Sequence, residues 1–155
     1  MITAHIPSGF VLGRSFGWRG TLLVAAIIGA TWPDLDLFFF YFVDGRAFHH
    51  HRYWVHAPAF ALVVSVGIWA VAGRYRSLAI AFGAGWMLHL VLDSLTGGVM
   101  WLWPLSDHLF NMIDVPATPY HFLISFLIHW TIMFEVLIWF VALYFWRQGA
   151  RSDAP

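Results

Sequence analysis

Apolar positions run along most of this chain in blocks too long and continuous for the half-buried helices of a water-soluble domain. The clearest block covers residues 121–146, just before Arg147, and its length of 26 residues compares with the roughly 17–25 that a tilted membrane helix needs. A second block, 57–73, ends at Gly73 with Arg74 and Arg76 beyond it. A third, 78–95, carries His89 and Asp93 and stops at Gly97-Gly98. The connection Arg74-Tyr75-Arg76-Ser77 is short enough to make these two blocks antiparallel neighbours. Nearer the start, an apolar run of small and branched residues, 21–31, halts at Trp32-Pro33, and an aromatic stretch, 37–43, resumes before Asp44-Gly45. Residues 5–16 are weakly apolar and predict a short helix with Pro7 in its first turn, where the missing N–H costs nothing. Gly17 to Gly20 would then form a turn.

The pattern predicts an all-α fold, a membrane-embedded bundle of about four to five helices. One domain covers 1–147, and 148–155 is a polar tail expected to fray. The opening residues lack the basic-then-apolar pattern of a cleavable signal peptide, so the first apolar segments are expected to direct insertion.

Composition sharpens this. Hydrophobic residues make up 61% and charged residues 10% of the 155 positions, against roughly 25% charged in a soluble domain. So few charges cannot cover a water-exposed surface. Ten tryptophans suit a protein whose rings sit at headgroup level. There is no lysine and net charge is zero, which leaves no basic stripe for nucleic acid. The absence of cysteine excludes disulfides and thiolate metal sites. Imidazole and carboxylate remain as strong ligands, and nine histidines stand beside only eight acidic residues.

Threaded up and down, the segments give the bundle two unlike ends. Arg14, Arg19, Arg74, Arg76, Arg147 and Arg151 gather at one. His5, Asp34, Asp36, the 49–51 histidine run, His56, His89, Asp93, Asp107, His108 and His121 gather at the other, with Arg46 and Arg52. The positive-inside rule points the arginine end to the cytoplasm. This predicts a multi-pass membrane protein with its His/Asp end at the extracytoplasmic side.

His89-x-x-x-Asp93 is the most informative pair, because i, i+4 spacing puts both side chains on one helix face. Ionisable residues inside a span are costly and are usually retained for function, although such a pair can also simply lock a bundle. Trp32-Pro33-Asp34-Leu35-Asp36 sets two carboxylates close together, stable as anions near a cation; alone, a helix cap and a solvated aspartate would account for them. In the run His49-His50-His51-Arg52-Tyr53-Trp54-Val55-His56, His49 and His50 are expected to face water, while His51 and His56 can turn inward. His5 lies at the same end. Asp107, His108 and Asp114, in the long Trp- and Pro-rich loop 97–120, are expected to form a rim or lid. His129 and Glu135 are expected well below this end, with structural pairing favoured for both. Together His5, Asp34, Asp36, His51, His56, His89 and Asp93 supply enough nitrogen and oxygen donors for one or two divalent ions, with zinc the leading candidate. Paired ions bridged by carboxylates would activate a water.

At these residues the chain resembles a bacterial family of membrane-bound metal-dependent hydrolases that includes a LexA-regulated inner-membrane protein. The resemblance rests on Thr3-Ala4-His5, Pro33-Asp34-Leu35-Asp36, His51-Arg52 with His56, and His89-x-x-x-Asp93-x-x-Thr96-x-Gly98, in order over residues 3–104. Where that family usually reads HRGxTHS, this chain has His51-Arg52-Tyr53-Trp54-Val55-His56-Ala57. The family is in turn distantly similar to zinc-dependent phospholipase C, which would imply phosphoester hydrolysis by fold-level analogy.

The leading expectation is a metal-dependent hydrolase acting on a phosphoester or lipid-like substrate at the membrane surface. In it Asp36 serves as general base or ligand, and Arg52 holds an anionic group through its planar fork. The alternatives are a non-catalytic metal-binding or transport protein, and a structural His/Asp network without metal. Membrane lipids are the expected surroundings. Trp and Phe faces of the final segment could pack against lipid or a second copy, which leaves a homo-oligomer open.

Overall fold

The computed structural model describes residues 3–116, 118, 119 and 122–152. Among them the chain is an all-α bundle; its one strand-like contact is an isolated bridge between Val99 and Phe110. Helix α1 (His5–Ser15) contains Pro7 in its first turn, as its sequence predicts, and turns at Gly17 into α2 (Gly20–Thr31). Pro33 cannot supply the next helical N–H, yet the chain does not stop there. It tightens into a 3-10 turn over Trp32–Leu35 and resumes as α3 (Asp36–Phe42). The segment Gly20–Phe42 is therefore a single candidate span of 23 residues with mean hydropathy 1.6. Asp34 and Asp36 sit on its tightened turn.

Two short 3-10 turns, His50–Arg52 and Trp54–His56, lead into α4 (Pro58–Val71). A third, Gly73–Tyr75, makes the expected tight reversal into α5 (Arg76–Asp93), which packs beside α4. Helices α6 (Phe122–Ile128) and α7 (Ile132–Ser152) follow. Gly73–Asp93 and Ile132–Gly149 are the other helices long and apolar enough to cross a membrane, and Pro58–Val71 is a shorter apolar one.

The final apolar block is not one helix. His129 Nδ1 lies 2.9 Å from the Thr131 hydroxyl, and the Ile132 amide donates to the His129 carbonyl. Such local bonds compete with the helical ladder, and the helix restarts at Ile132. Glu135 consequently falls in the first turn of α7, near the His/Asp end rather than well below it. Its buried carboxylate accepts from the Thr3 backbone N–H at 2.6 Å and the Thr3 hydroxyl at 2.7 Å, tying the chain's start to α7. At the opposite end the Arg14 guanidinium lies against Gly149, so α1 and α7 run side by side in the same direction. Helix α7 continues to Ser152, past Arg147; residues 153–155 of the polar tail lie outside the described residues.

The closest packing in the bundle is between α2 and α5. A Cβ at Gly29 would meet the Phe82 carbonyl oxygen at 2.0 Å, and one at Gly85 the Ala26 carbonyl oxygen at 2.1 Å. With Ala26, Ala30 and Ala81 also buried there, this is the small-residue contact by which membrane helices bring their backbones together. Beside it, Trp86, Leu90, Ala61 and Val99 form an apolar core, and the Trp86 indole donates to the Val55 carbonyl. Large apolar side chains point outward instead: Val63, Val66 and Trp69 on α4, and Leu137, Trp139, Phe140 and Trp146 on α7. Hydrocarbon is the solvent that tolerates such a surface.

Candidate metal centre

The ends of α2 and α5 rise to the same level, and the turns at 50–56 close over them. Six of the seven expected ligands are buried there: His5, Asp36, His51, His56, His89 and Asp93, with His56 and His89 fully buried. Asp34 is the open member, its side chain 31% exposed.

Asp93 is the hub. Its Oδ1 lies 3.2 Å from His5 Nε2, while Oδ2 lies 3.0 Å from His89 Nε2, 3.4 Å from His51 Nε2 and 3.7 Å from His56 Nε2. Two stacked imidazole pairs flank it, His5 on His89 with ring centroids 3.8 Å apart and His51 on His56 at 4.5 Å. Asp34 reaches the first pair, at 3.9 Å from His5 Nε2 and 3.8 Å from His89 Nε2.

Backbone carbonyls set the tautomers. His89 Nδ1 is 2.8 Å from the Ala30 carbonyl oxygen, and His51 Nδ1 is 2.8 and 2.7 Å from those of Gly97 and Gly98. A carbonyl only accepts, so both Nδ1 atoms carry a proton, and both Nε2 atoms face Asp93. Carbonyl-anchored imidazoles of this kind are the usual supports of metal-ligating histidine. Gly97 is part of the device, because a Cβ there would sit 2.3 Å from His51 Cε1. Burial, together with the neighbouring imidazoles, holds His51 well below its ordinary pKa despite the pull of Asp93, so its ring is neutral at physiological pH. His49, although exposed on one side, is lowered in the same direction by partial desolvation and by His50.

The donor set fits a divalent cation. With their Nδ1 atoms engaged by carbonyls, the Nε2 atoms of His51 and His89 converge on one carboxylate. Asp36 is held by two further imidazoles: His56 Nδ1 is 2.8 Å from one of its oxygens and His50 Nδ1 is 3.6 Å from the other. Two ligand groups meet at Asp93, each within 4.8 Å: His5, Asp34, His89 and Asp93 in one, and His51, His56 and Asp93 in the other. With imidazole and carboxylate donors and no thiolate, zinc, iron, nickel or manganese suits the site.

Not every expected residue joins. Asp36 stands behind His56, on its Nδ1 side. Arg52 is half exposed and pairs with the exposed Asp107 at 3.2 Å on the rim. His108 is exposed, Asp114 pairs with Asn111, and His121 lies outside the described residues. His50, expected in water, is largely buried and forms an outer ligand group with Asp34 and His56. Adjacency to His51 is the signal in the sequence that could have found it.

Known proteins bear on the fold and its setting. Over 70% of its length the chain is 33% identical to the inner membrane protein YbcI of Escherichia coli strain K12, of which the match covers 70%. No solved structure matches. The model of the YdjM inner membrane protein family matches residues 1–152, and the chain belongs to that family.

Proposed function

We propose that this protein is a membrane-bound, zinc-dependent hydrolase of phosphoester or lipid-like substrates. The observation that carries the reading is the pair of carbonyl-anchored imidazoles, His51 and His89, aimed at the buried Asp93. His5, His51, His56, His89, Asp34 and Asp93 would hold the metal, which supplies Lewis acidity toward a phosphoryl or acyl oxygen and activation of water. Asp34, the open carboxylate, faces the approach and is placed to accept a proton there. Asp36 positions His56 from behind. Arg52 can leave Asp107 to hold an anionic group at the rim.

Two features favour catalysis over transport. Beneath the cluster the described residues are apolar and tight, with Gly29, Gly85, Trp86 and Leu90 sealing the floor, so no ligand ladder leads across. The serine beside Asp93 does not compete as a nucleophile: the Ser94 hydroxyl donates to the Leu90 carbonyl and accepts from the Trp101 indole. A lipid-like substrate suits the surroundings, because Leu35, Phe38 and Phe39 beside Asp34 are outward-facing and more than half exposed. Six arginines at the far end support an extracytoplasmic site; a Gly45→Cys label accessible from outside intact cells, with Tyr75→Cys protected, is the expected pattern.

The test is turnover by detergent-purified protein on a panel of phospholipids and chromogenic phosphoesters. Chelator-sensitive hydrolysis, restored by zinc and lost in His89→Ala, is expected. Stoichiometric metal with no turnover on any substrate would instead make this a metal-binding protein without catalysis.

A further inference from the structure

The centre is deeply enclosed, so an ion must reach it by some path. Two edges of the chamber are open. Beside Asp34 the surface is apolar, formed by the exposed Leu35, Phe38 and Phe39, and a hydrated cation does not approach through hydrocarbon. The other edge is the histidine run, where exposure falls residue by residue: His49 exposed, His50 intermediate, His51 buried. The ligand atoms of these three lie within 4.8 Å of one another. His50 also belongs to the group with Asp34 and His56, and His51 to the group with His56 and Asp93. The ligand groups therefore overlap from the surface inward, each sharing a member with the next.

We propose that His49 and His50 form a cation-entry relay that captures a hydrated divalent metal ion at the surface and passes it through Asp34 and His56 to the buried centre. The proposal rests on the metal-centre reading above. Stripping the hydration shell from a divalent ion in one step is prohibitive in a low-dielectric interior. Overlapping groups let each water leave as an imidazole or carboxylate replaces it. The geometry provides for this at every stage. The His49 imidazole accepts from the His51 amide through Nδ1 at 3.2 Å, so Nδ1 is its lone-pair nitrogen, and a cation held by His49 takes the place of that long hydrogen bond. Its ring stacks on His50 with centroids 5.2 Å apart, and His50 is in turn 4.1 Å from the His51 ring centroid. Beside His50 stands the buried Asp36, with one carboxylate oxygen 3.6 Å from His50 Nδ1 and the other 2.8 Å from His56 Nδ1; its negative charge draws the ion inward. The Phe40 ring lies against His50 on its apolar side.

A relay residue differs from a resident ligand in what its loss changes: the rate of loading, not the final occupancy. Metal-stripped protein in detergent is mixed with excess cobalt(II). Loading is followed by visible absorbance and the final content by elemental analysis. His50→Ala and the bulkier His50→Gln should load about tenfold more slowly than wild type and reach the same cobalt content. His49→Ala should be slowed less. Unchanged rates in both His50 variants would overturn the relay. So would a lower final content, which would make His50 a permanent ligand. Wild-type protein that takes up no cobalt at all would remove the metal centre itself, an outcome distinct from either.

Discussion

Asp93→Asn should abolish the thermal stabilisation that zinc confers on the wild-type protein and should also lower the melting temperature of the metal-free protein. Asparagine keeps the shape of the side chain and removes its charge, so packing around the buried hub is preserved. What disappears is the anion faced by four histidine Nε2 atoms within 3.7 Å. A ligand present at about 1,000 times its Kd stabilises the folded state by about 4 kcal/mol. Each tenfold loss of affinity removes about 1.4 kcal/mol of that, so a loss of about a thousandfold erases the shift. Without metal, the substitution removes the desolvation cost of a carboxylate that is 1% exposed but also its attraction to the surrounding imidazoles, and loss of one partner from a buried charge cluster lowers stability. Melting curves of both proteins, with zinc and with chelator, separate the two effects. A zinc shift that persists undiminished in Asp93→Asn would show that the ion binds elsewhere.

That experiment probes the part of the molecule most legible in its sequence. His89 and Asp93 share a helix face by spacing alone, and the tight turn at Arg74 guarantees that α4 and α5 lie side by side. The convergence of Asp34 and His56 on the same chamber follows once the segments alternate in direction. Other features depend on local bonds that composition does not reveal. The apolar pattern runs unbroken through Ile128-His129-Trp130-Thr131, and only the His129–Thr131 contact marks where the helix restarts. Glu135 therefore reads from sequence as an isolated acid deep in a span, whereas the structure makes it the anchor of Thr3. The burial of His50 and the place of Asp36 behind His56 are likewise set by 3-10 turns, whose tighter pitch redirects neighbouring side chains. Hydrophobic periodicity carries no signal for such turns.

The same interplay of backbone and site makes Gly85→Ala a two-sided test. A Cβ at this position would lie 2.1 Å from the Ala26 carbonyl oxygen and 2.8 Å from the Ala30 amide nitrogen. Both are backbone atoms, so no rotamer change relieves the clash; α2 and α5 must move apart. Overpacking of this kind costs about 3 kcal/mol, an effect of the opposite sign to the helix-propensity gain that alanine brings. The displacement does not end at the contact, because the Ala30 carbonyl holds His89 Nδ1. Moving that carbonyl frees the imidazole from its tautomer and its aim at Asp93, and lost support of this kind weakens metal binding by about 10–100-fold. Gly85→Ala should thus lower both the melting temperature and the zinc affinity, although position 85 is more than a helical turn below His89. Gly67→Ala is the matched control, since nothing lies within 4 Å of its Cβ position; it should keep zinc affinity and gain about 0.5–1 kcal/mol. If Gly85→Ala melted like wild type and bound zinc as tightly, the close α2–α5 contact could not be what holds the metal centre in register.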